Sequence, residues 1–341
     1  MITEEDLINE KLSYTPDTKA GFTRKKKGKK FEYFDSKGKK ITEPNVIERI
    51  DGLAIPPAWH EVWISPYKNG HLQAVGYDDK NRKQYIYHPD WVKLSQENKF
   101  AKMVDFALSL PKIRQKIAYE IKQKELDRER IIATIIWLLE HTFIRVGNEE
   151  YSKENNSFGL TTLRNRHAKV RGDNITFNFV GKSGVQASIE FSNPTIAKTI
   201  KECIELPGYE LFQYIDDTGA RQVVDSRDVN DYLREITQDE FTAKDFRTWG
   251  ATNLSARNLY RLGDAEDEEL IKKNINQTVE EVAHHLNNTV KVCRTYYIHP
   301  KVVESYTSKS LIPHFDKFAK DKKEREGLSW NEYALVNLLK S

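Results

Sequence analysis

The stretch Ile131-Ile-Ala-Thr-Ile-Ile-Trp-Leu-Leu-Glu-His-Thr-Phe-Ile-Arg-Val-Gly147 decides how most of this chain must fold. Ile131, Ile132, Ile135, Leu138, Leu139 and Thr142 recur three or four positions apart, which predicts a helix with one apolar face turned to a core. Gly147 is the expected stop. The longest apolar run inside it, Ile135 to Leu139, is far too short to cross a bilayer, so no membrane partner is expected. Downstream, helical spacing dominates from Pro194 to the end, and Trp330, Tyr333, Ala334, Leu335, Leu338 and Leu339 suggest a docked amphipathic helix there.

Two strand-like regions interrupt or precede this helical part. Ile175-Thr-Phe-Asn-Phe-Val180 and Val185-Gln-Ala-Ser-Ile-Glu-Phe191 flank the turn Gly181-Lys-Ser-Gly184, a hairpin pattern. From Gly21 to about Trp91 the texture is aromatic and β-branched, dotted with Gly and Pro. There Phe31 to Phe34 precede the turn Asp35-Ser-Lys-Gly38, Val62 to Ile64 can form a strand, and His71 to Tyr77 and Gln84 to Tyr87 flank the turn Asp78 to Asn81. Residues 92–100 are polar and read as a linker. The fold class expected is therefore α+β: a small N-terminal antiparallel β-rich domain over residues 1–95 and a larger, mainly α-helical domain over 96–341 with a β-hairpin inside it.

Composition sets the outer limits. With 341 residues, 38% hydrophobic and 31% charged, the chain can bury a sizeable core in two domains or one large one, and a small disulfide-stapled scaffold is excluded. The mean hydropathy of −0.69 suits a soluble protein. Glu4, Glu5 and Asp6 follow the start almost at once and leave no room for a secretory signal, and Cys203 and Cys293 form no CxxC pair, so a reducing cytoplasm is expected. Net charge is only +3, yet residues 21–40 hold nine bases against two acids. A cluster of that kind fits either a phosphate backbone or a solvated loop.

Several motifs lead nowhere. Gly181-Lys182-Ser183 ends like a phosphate-binding loop, but position 176 is Thr where the first glycine belongs, and the triplet joins two strands instead of opening a helix. His284 and His285 follow Glu280 and Glu281 without the HExxH spacing, and adjacent helix positions do not face one ligand, so no metal is expected. Neither GxGxxG nor GxSxG occurs.

The remaining chemistry-bearing positions say little one at a time. Arg145 ends the apolar helix, Lys182 sits in a turn, Arg247 and Lys244 open a helix with Trp249, and Tyr297 lies in Arg294-Thr-Tyr-Tyr-Ile-His-Pro300. Their order says more: Arg145, Lys182, Arg247, Asn288 and Tyr297 are spaced by 37, 65, 41 and 9 positions. In this set, and in Phe143 to Tyr151, Lys153 to His167, Val180 to Lys182, Lys244 to Gly250 and Asn288 to Pro300, the chain resembles the type IB DNA topoisomerases, in particular their small bacterial and poxvirus-like branch. Pro56-Pro-Ala-Trp59, Gly70 to Ala74 and Lys83 to Tyr87 resemble that family's DNA-clamping β domain.

The resemblance implies a tyrosine recombinase/topoisomerase IB type of catalytic domain whose hairpin carries a catalytic lysine, with ATP-independent relaxation of supercoiled DNA as the activity. It makes Tyr297 the nucleophile, Arg145, Arg247 and Asn288 the stabilisers of the phosphoryl transition state, and Lys182 the proton donor to the leaving oxygen, helped by Lys244. No cofactor and no metal are implied. Double-stranded DNA is the partner, held by a monomer acting as a clamp in the cytoplasm at the nucleoid, with Arg24, Lys25, Lys26 and Lys27 on to Lys30, Gln84, Tyr85 and Tyr87 on one side and Tyr151, Arg164, Arg166 and His167 on the other. Two positions depart from the poxvirus pattern: Asn288 stands where that branch has His, and Asn148, Glu149 and Glu150 stand where viral relatives are lysine-rich. The second departure argues against a strong preference for one cleavage sequence. A tyrosine site-specific recombinase and a non-catalytic DNA-binding protein are the alternatives that this set leaves open.

Overall fold

A computed structural model describes residues 4–28 and 30–341 and divides the chain into two compact units, Met1–Ala101 and Lys102–Ser341. Lys29 of the basic run lies outside the described residues.

The first unit holds helix α1 (Glu4–Asn9), strands β1 (Phe22–Lys27) and β2 (Lys30–Phe34), helix α2 (Pro44–Gly52), strands β3 (His60–Ile64), β4 (Leu72–Tyr77) and β5 (Lys83–Tyr87), and helix α3 (Pro89–Ala101). The strands form one antiparallel sheet in the order β2-β1-β3-β4-β5. Tyr33, Ile41, Ile50, Ile55, Val62, Ile64 and Ala74 make its core, with α2 closing the apolar face through Ile50. Two expectations change here. The basic run 24–27 is itself a strand, paired along its length with β2. The polar stretch 92–100 is no linker but the body of α3, where burial of Leu94 and Phe100 is enough to hold a helix whose other positions are mostly polar.

The second unit opens with α4 (Met103–Glu120), α5 (Arg128–Thr142) and α6 (Glu149–Asn155). A three-stranded antiparallel sheet follows, β6 (Ala168–Arg171), β7 (Asn174–Val180) and β8 (Gln186–Ser192), then α7 (Pro194–Glu205) and a short hairpin of β9 (Gln213–Ile215) and β10 (Arg221–Val223). The rest is helical: α8 (Ser226–Thr237), α9 (Ala243–Leu262), α10 (Glu268–Leu286), α11 (Val290–Tyr296), α12 (Pro300–Thr307), α13 (Leu311–Ala319) and α14 (Trp330–Lys340).

α5 is the centre of this unit. Asp127 caps its start by accepting from the Arg130 amide at 2.8 Å, and α4, α7, α8 and α9 pack around it. Ile131 to Ile136, Leu138 and Leu139 are all inaccessible to solvent, so the helix is buried on more than the single face its spacing predicted. Each such aliphatic side chain contributes about 1.5–3 kcal/mol by leaving water. α14 docks on α4, α9 and α13, and Glu332 near its start forms an ion pair with Arg114 of α4 at 2.6 Å, while Arg114 also reaches Glu140 of α5 at 2.7 Å. Among the described residues no helix is long and apolar enough to cross a membrane.

Candidate active site

α5 ends earlier than its sequence suggests. Phe143 turns into the left-handed region with φ +55°, a conformation that bulky side chains rarely adopt. Contact with α9 holds it there: a Cβ on Gly250 would meet Phe143 Cε1 at 2.1 Å, so only glycine leaves room for the ring. Arg145 therefore lies in the extended segment after the helix, not at its end. That segment is pinned by a second piece of chain, with Leu160 N donating to Arg145 O at 2.9 Å and Thr161 N to Val146 O at 2.7 Å.

α9 supplies the next groups. Thr242 caps it through its amide and hydroxyl, which donate to Asp245 Oδ2 at 2.7 and 2.9 Å. The first turn leaves Lys244 exposed and carries Arg247 inward, to 3% exposure. Arg247 Nη1 donates to the Phe143 carbonyl and Nη2 to the Leu286 carbonyl at 2.8 Å. Arg145 Nη2 donates to Asn288 Oδ1 and, at 3.4 Å, to the Asn287 carbonyl. The two guanidiniums thus rest against the C-terminal ends of α5 and α10, where helix dipoles present negative charge. Burial, and then the charge of Arg145, bring the Arg247 guanidinium down to about 10.

Tyr297 follows α11 directly. Its amide donates to Cys293 O at 3.0 Å, and its carbonyl accepts from Thr252 Oγ1 at 3.0 Å, while Thr252 Oγ1 itself accepts from His299 N at 3.1 Å. Thr252 is on α9, five positions past Arg247, so one helix positions both the phenol's backbone and the cation beside its ring. Arg247 Cζ lies 5.4 Å from the Tyr297 ring centroid. Burial alone would push this phenol up, but Arg247, Arg145 and Lys244 together outweigh it and draw the group below its ordinary value. Tyr296, the other tyrosine of the pair, is 43% exposed.

Lys182 stands exposed in the turn between β7 and β8, where the sequence put it. It lines one cavity with Arg145, Arg247, Phe179, His285 and Asn287. Arg247 Nε and Asn288 Nδ2 are buried and have no hydrogen-bond partner. Two unmatched donors among two guanidiniums, beside a phenol inclined to ionise, make a place that fits the oxygens of an anion next to the phenol oxygen.

The outlying positions divide into free and engaged groups. Tyr151, on α6, is half-buried near enough to Arg145 for its phenol to bear on that guanidinium. Arg164 and Arg166 are exposed. His167 is buried, accepting from Arg164 N at 3.0 Å, and its burial, with the two arginines beside it, lowers the imidazole to about 4. In the first unit Arg24 is turned inward, over the Phe31 ring and onto the carbonyls of Ile55, Pro56 and Trp59, which leaves its guanidinium committed to the fold. Lys25 lies over Phe34, Lys26 and Lys30 are exposed, and Lys27 pairs with Glu32 at 3.0 Å. Gln84 donates to Asp78 Oδ2 at 3.0 Å, and Tyr85 and Tyr87 stand exposed and stacked with centroids 5.9 Å apart.

Sequence reasoning missed Phe143, Thr252 and the carbonyls of Leu286 and Asn287 as parts of the site. Gly250 carried a faint signal, as a glycine inside an otherwise regular helix.

Residues 88–324 match the family model described as the catalytic core of eukaryotic DNA topoisomerase I, and residues 30–78 match that of the N-terminal domain of bacterial DNA topoisomerase IB. DNA topoisomerase 1B of Acanthamoeba polyphaga mimivirus is 34% identical over 293 residues, which cover 84% of this chain and 87% of that one. DNA topoisomerase 1B of Vaccinia virus (strain Copenhagen) is 27% identical over 251 residues, covering 71% and 74%. DNA topoisomerase 1 of Schizosaccharomyces pombe is 26% identical over 203 residues, covering 58% of this chain and 24% of that protein.

Proposed function

The chain belongs to the type IB DNA topoisomerases, and from that premise we propose how its own residues relax supercoiled DNA. The observation that carries the reading is the pair of orphaned donors, Arg247 Nε and Asn288 Nδ2, gathered with Arg145 around the Tyr297 phenol. A DNA phosphodiester brings the oxygens these donors lack.

Tyr297 Oη attacks the phosphorus and releases its proton to solvent. The new bond joins the phenol oxygen to the 3′-phosphate, and the bond to the 5′-oxygen breaks. Lys182 hands that oxygen a proton, because an alkoxide leaves poorly. The freed strand swivels, the 5′-hydroxyl attacks back, and tyrosine departs. One phosphodiester replaces another, so no nucleotide is consumed. Arg145, Arg247 and Asn288 stabilise the charge that gathers on the non-bridging oxygens, and Lys244 adds to the field that favours the phenolate.

A single copy holds the duplex. The β-rich unit contributes Lys25, Lys26, Lys27, Gln84, Tyr85 and Tyr87, and the helical unit Tyr151, Arg164 and Arg166, with His167 buttressing the two arginines and Arg24 buttressing the sheet. The two buried, unbridged thiols Cys203 and Cys293 suit a cytoplasmic protein working at the nucleoid.

Supercoiled plasmid incubated with the protein alone, in EDTA and without nucleotide, should lose supercoils of both signs. Strand exchange between two marked duplexes without free relaxation would instead identify a recombinase. Lys182→Ala should slow cleavage by about 10²–10⁴-fold. A substrate with sulfur at the 5′ leaving position should restore most of that rate, since a thiolate needs no proton, and a mutant equally slow on both substrates removes Lys182 from the proton-donor role.

A further inference from the structure

Tyr209 is 71% exposed, more than any other large hydrophobic side chain among the described residues. It sits in the loop between α7 and β9, and that loop is braced on every side. Leu211 and Phe212 anchor it in the core at 0% and 1% exposure. Leu211 N donates to Leu163 O at 2.8 Å and Asn165 N to Tyr209 O at 2.9 Å, so the loop is zipped to the segment 163–165. Gly208 takes φ +123°, where a Cβ would also meet Arg221 Nη1 at 2.4 Å. Arg221 in turn donates to Glu210 Oε2 and Gln213 Oε1, both at 2.8 Å. A ring on a slack loop could fold onto the nearest apolar surface. This one is held out in water by backbone that cannot easily move.

Its surroundings are cationic. The segment to which it is zipped carries the exposed Arg164 and Arg166, and the acid next to it, Glu210, is already neutralised by Arg221. Arg164 is itself steadied over the Phe158 ring at 5.4 Å. The same segment runs back to the reaction centre, since Leu160 donates to the Arg145 carbonyl. The five residue steps from Leu160 to Asn165 span at most about 18 Å even fully extended, well within the roughly 34 Å of one duplex turn.

We propose that Tyr209, presented beside Arg164 and Arg166 by its braced loop, is a contact for duplex DNA flanking the reaction centre. The ring packs on the sugar–phosphate edge and the two guanidiniums hold phosphates. This assignment rests on the topoisomerase reading above. An uncharged aromatic on a segment next to two cations adds affinity without adding to the counterions that DNA binding releases, and that gives it a signature of its own.

The test uses the full chain and a long duplex extending one turn to each side of the cleavage point. Tyr209→Ala should weaken binding to the long duplex by about tenfold, with the slope of log K against log salt unchanged. Arg164→Ala should weaken it too, but should reduce that slope by about one. Wild-type affinity of Tyr209→Ala for the long duplex, or a loss that comes with a reduced salt slope, overturns the contact. If wild-type protein neither binds nor relaxes duplex DNA, it is the reading of the function that fails.

Discussion

Tyr297→Phe should abolish the covalent protein–DNA adduct and with it plasmid relaxation, a loss on the order of 10⁵-fold or more. One oxygen is removed, and with it the phenol's hydrogen bond to the Arg247 side chain, while the ring keeps its place over Arg247 and the backbone keeps its bonds to Thr252 and Cys293. DNA affinity should stay within about threefold of wild type, since phosphate contacts dominate it. The measurement is detergent trapping of the adduct, with a filter or gel assay of binding alongside. An adduct that survives in Tyr297→Phe would move the nucleophile to the exposed Tyr296, which a second trapping experiment on Tyr296→Phe would settle.

Arg247→Ala should be the other severe change, and it should act twice. Catalytically it removes one of the two guanidiniums beside the phenol, so cleavage at saturating DNA should fall at least 10²–10³-fold, about what a lost transition-state donor costs. Structurally it strips the partners from the Phe143 and Leu286 carbonyls, each an unsatisfied buried acceptor worth about 1–3 kcal/mol. The melting temperature should drop by roughly 5–15 °C for a unit of this size. Arg145→Ala should share the kinetic loss with a much smaller thermal one, because Arg145 is half-exposed and its main partner is a side chain. Calorimetry and single-turnover cleavage on the two variants separate these effects. Equal melting temperatures for the two would show that Arg247 does not hold the ends of α5 and α10 together.

Much of the fold was readable in advance, for reasons that differ from element to element. The strands around Gly181–Gly184 announce themselves because β-branched and aromatic residues alternate on both sides of a glycine-rich turn. α5 was equally plain, but its end was not. Gly147 looked like the stop, whereas the chain leaves the helix at Phe143, and what permits that is Gly250, about a hundred residues later. α3 reads as a linker because only two of its thirteen residues are buried, too few to make a visible period. The β9–β10 hairpin escaped notice because each strand is three residues long. The basic run pointed toward phosphate, yet Arg24, its first member, bonds three carbonyls of the loop that leads into β3. Charge pattern reports what a surface can attract and is silent about which cation has turned inward.

The site was legible only as a set. Nothing local marks Arg145, Lys182, Arg247, Asn288 and Tyr297 as neighbours, since tens of residues separate most of them, and their ordered spacing became meaningful through family resemblance alone. The supports around them were invisible for a different reason. Thr252 looks like any threonine in a helix, and its role comes from two peptide groups 45 and 47 positions away.

Because the clasps on both arginines are mostly peptide oxygens, they belong to no particular amino acid. Drift at positions 286 or 287 can exchange one residue for another and still leave the clasp intact, provided the chain keeps its path, whereas at 143 the ring against Gly250 is what keeps that path. The scaffold around the reaction thus tolerates alphabet change and resists insertion or deletion.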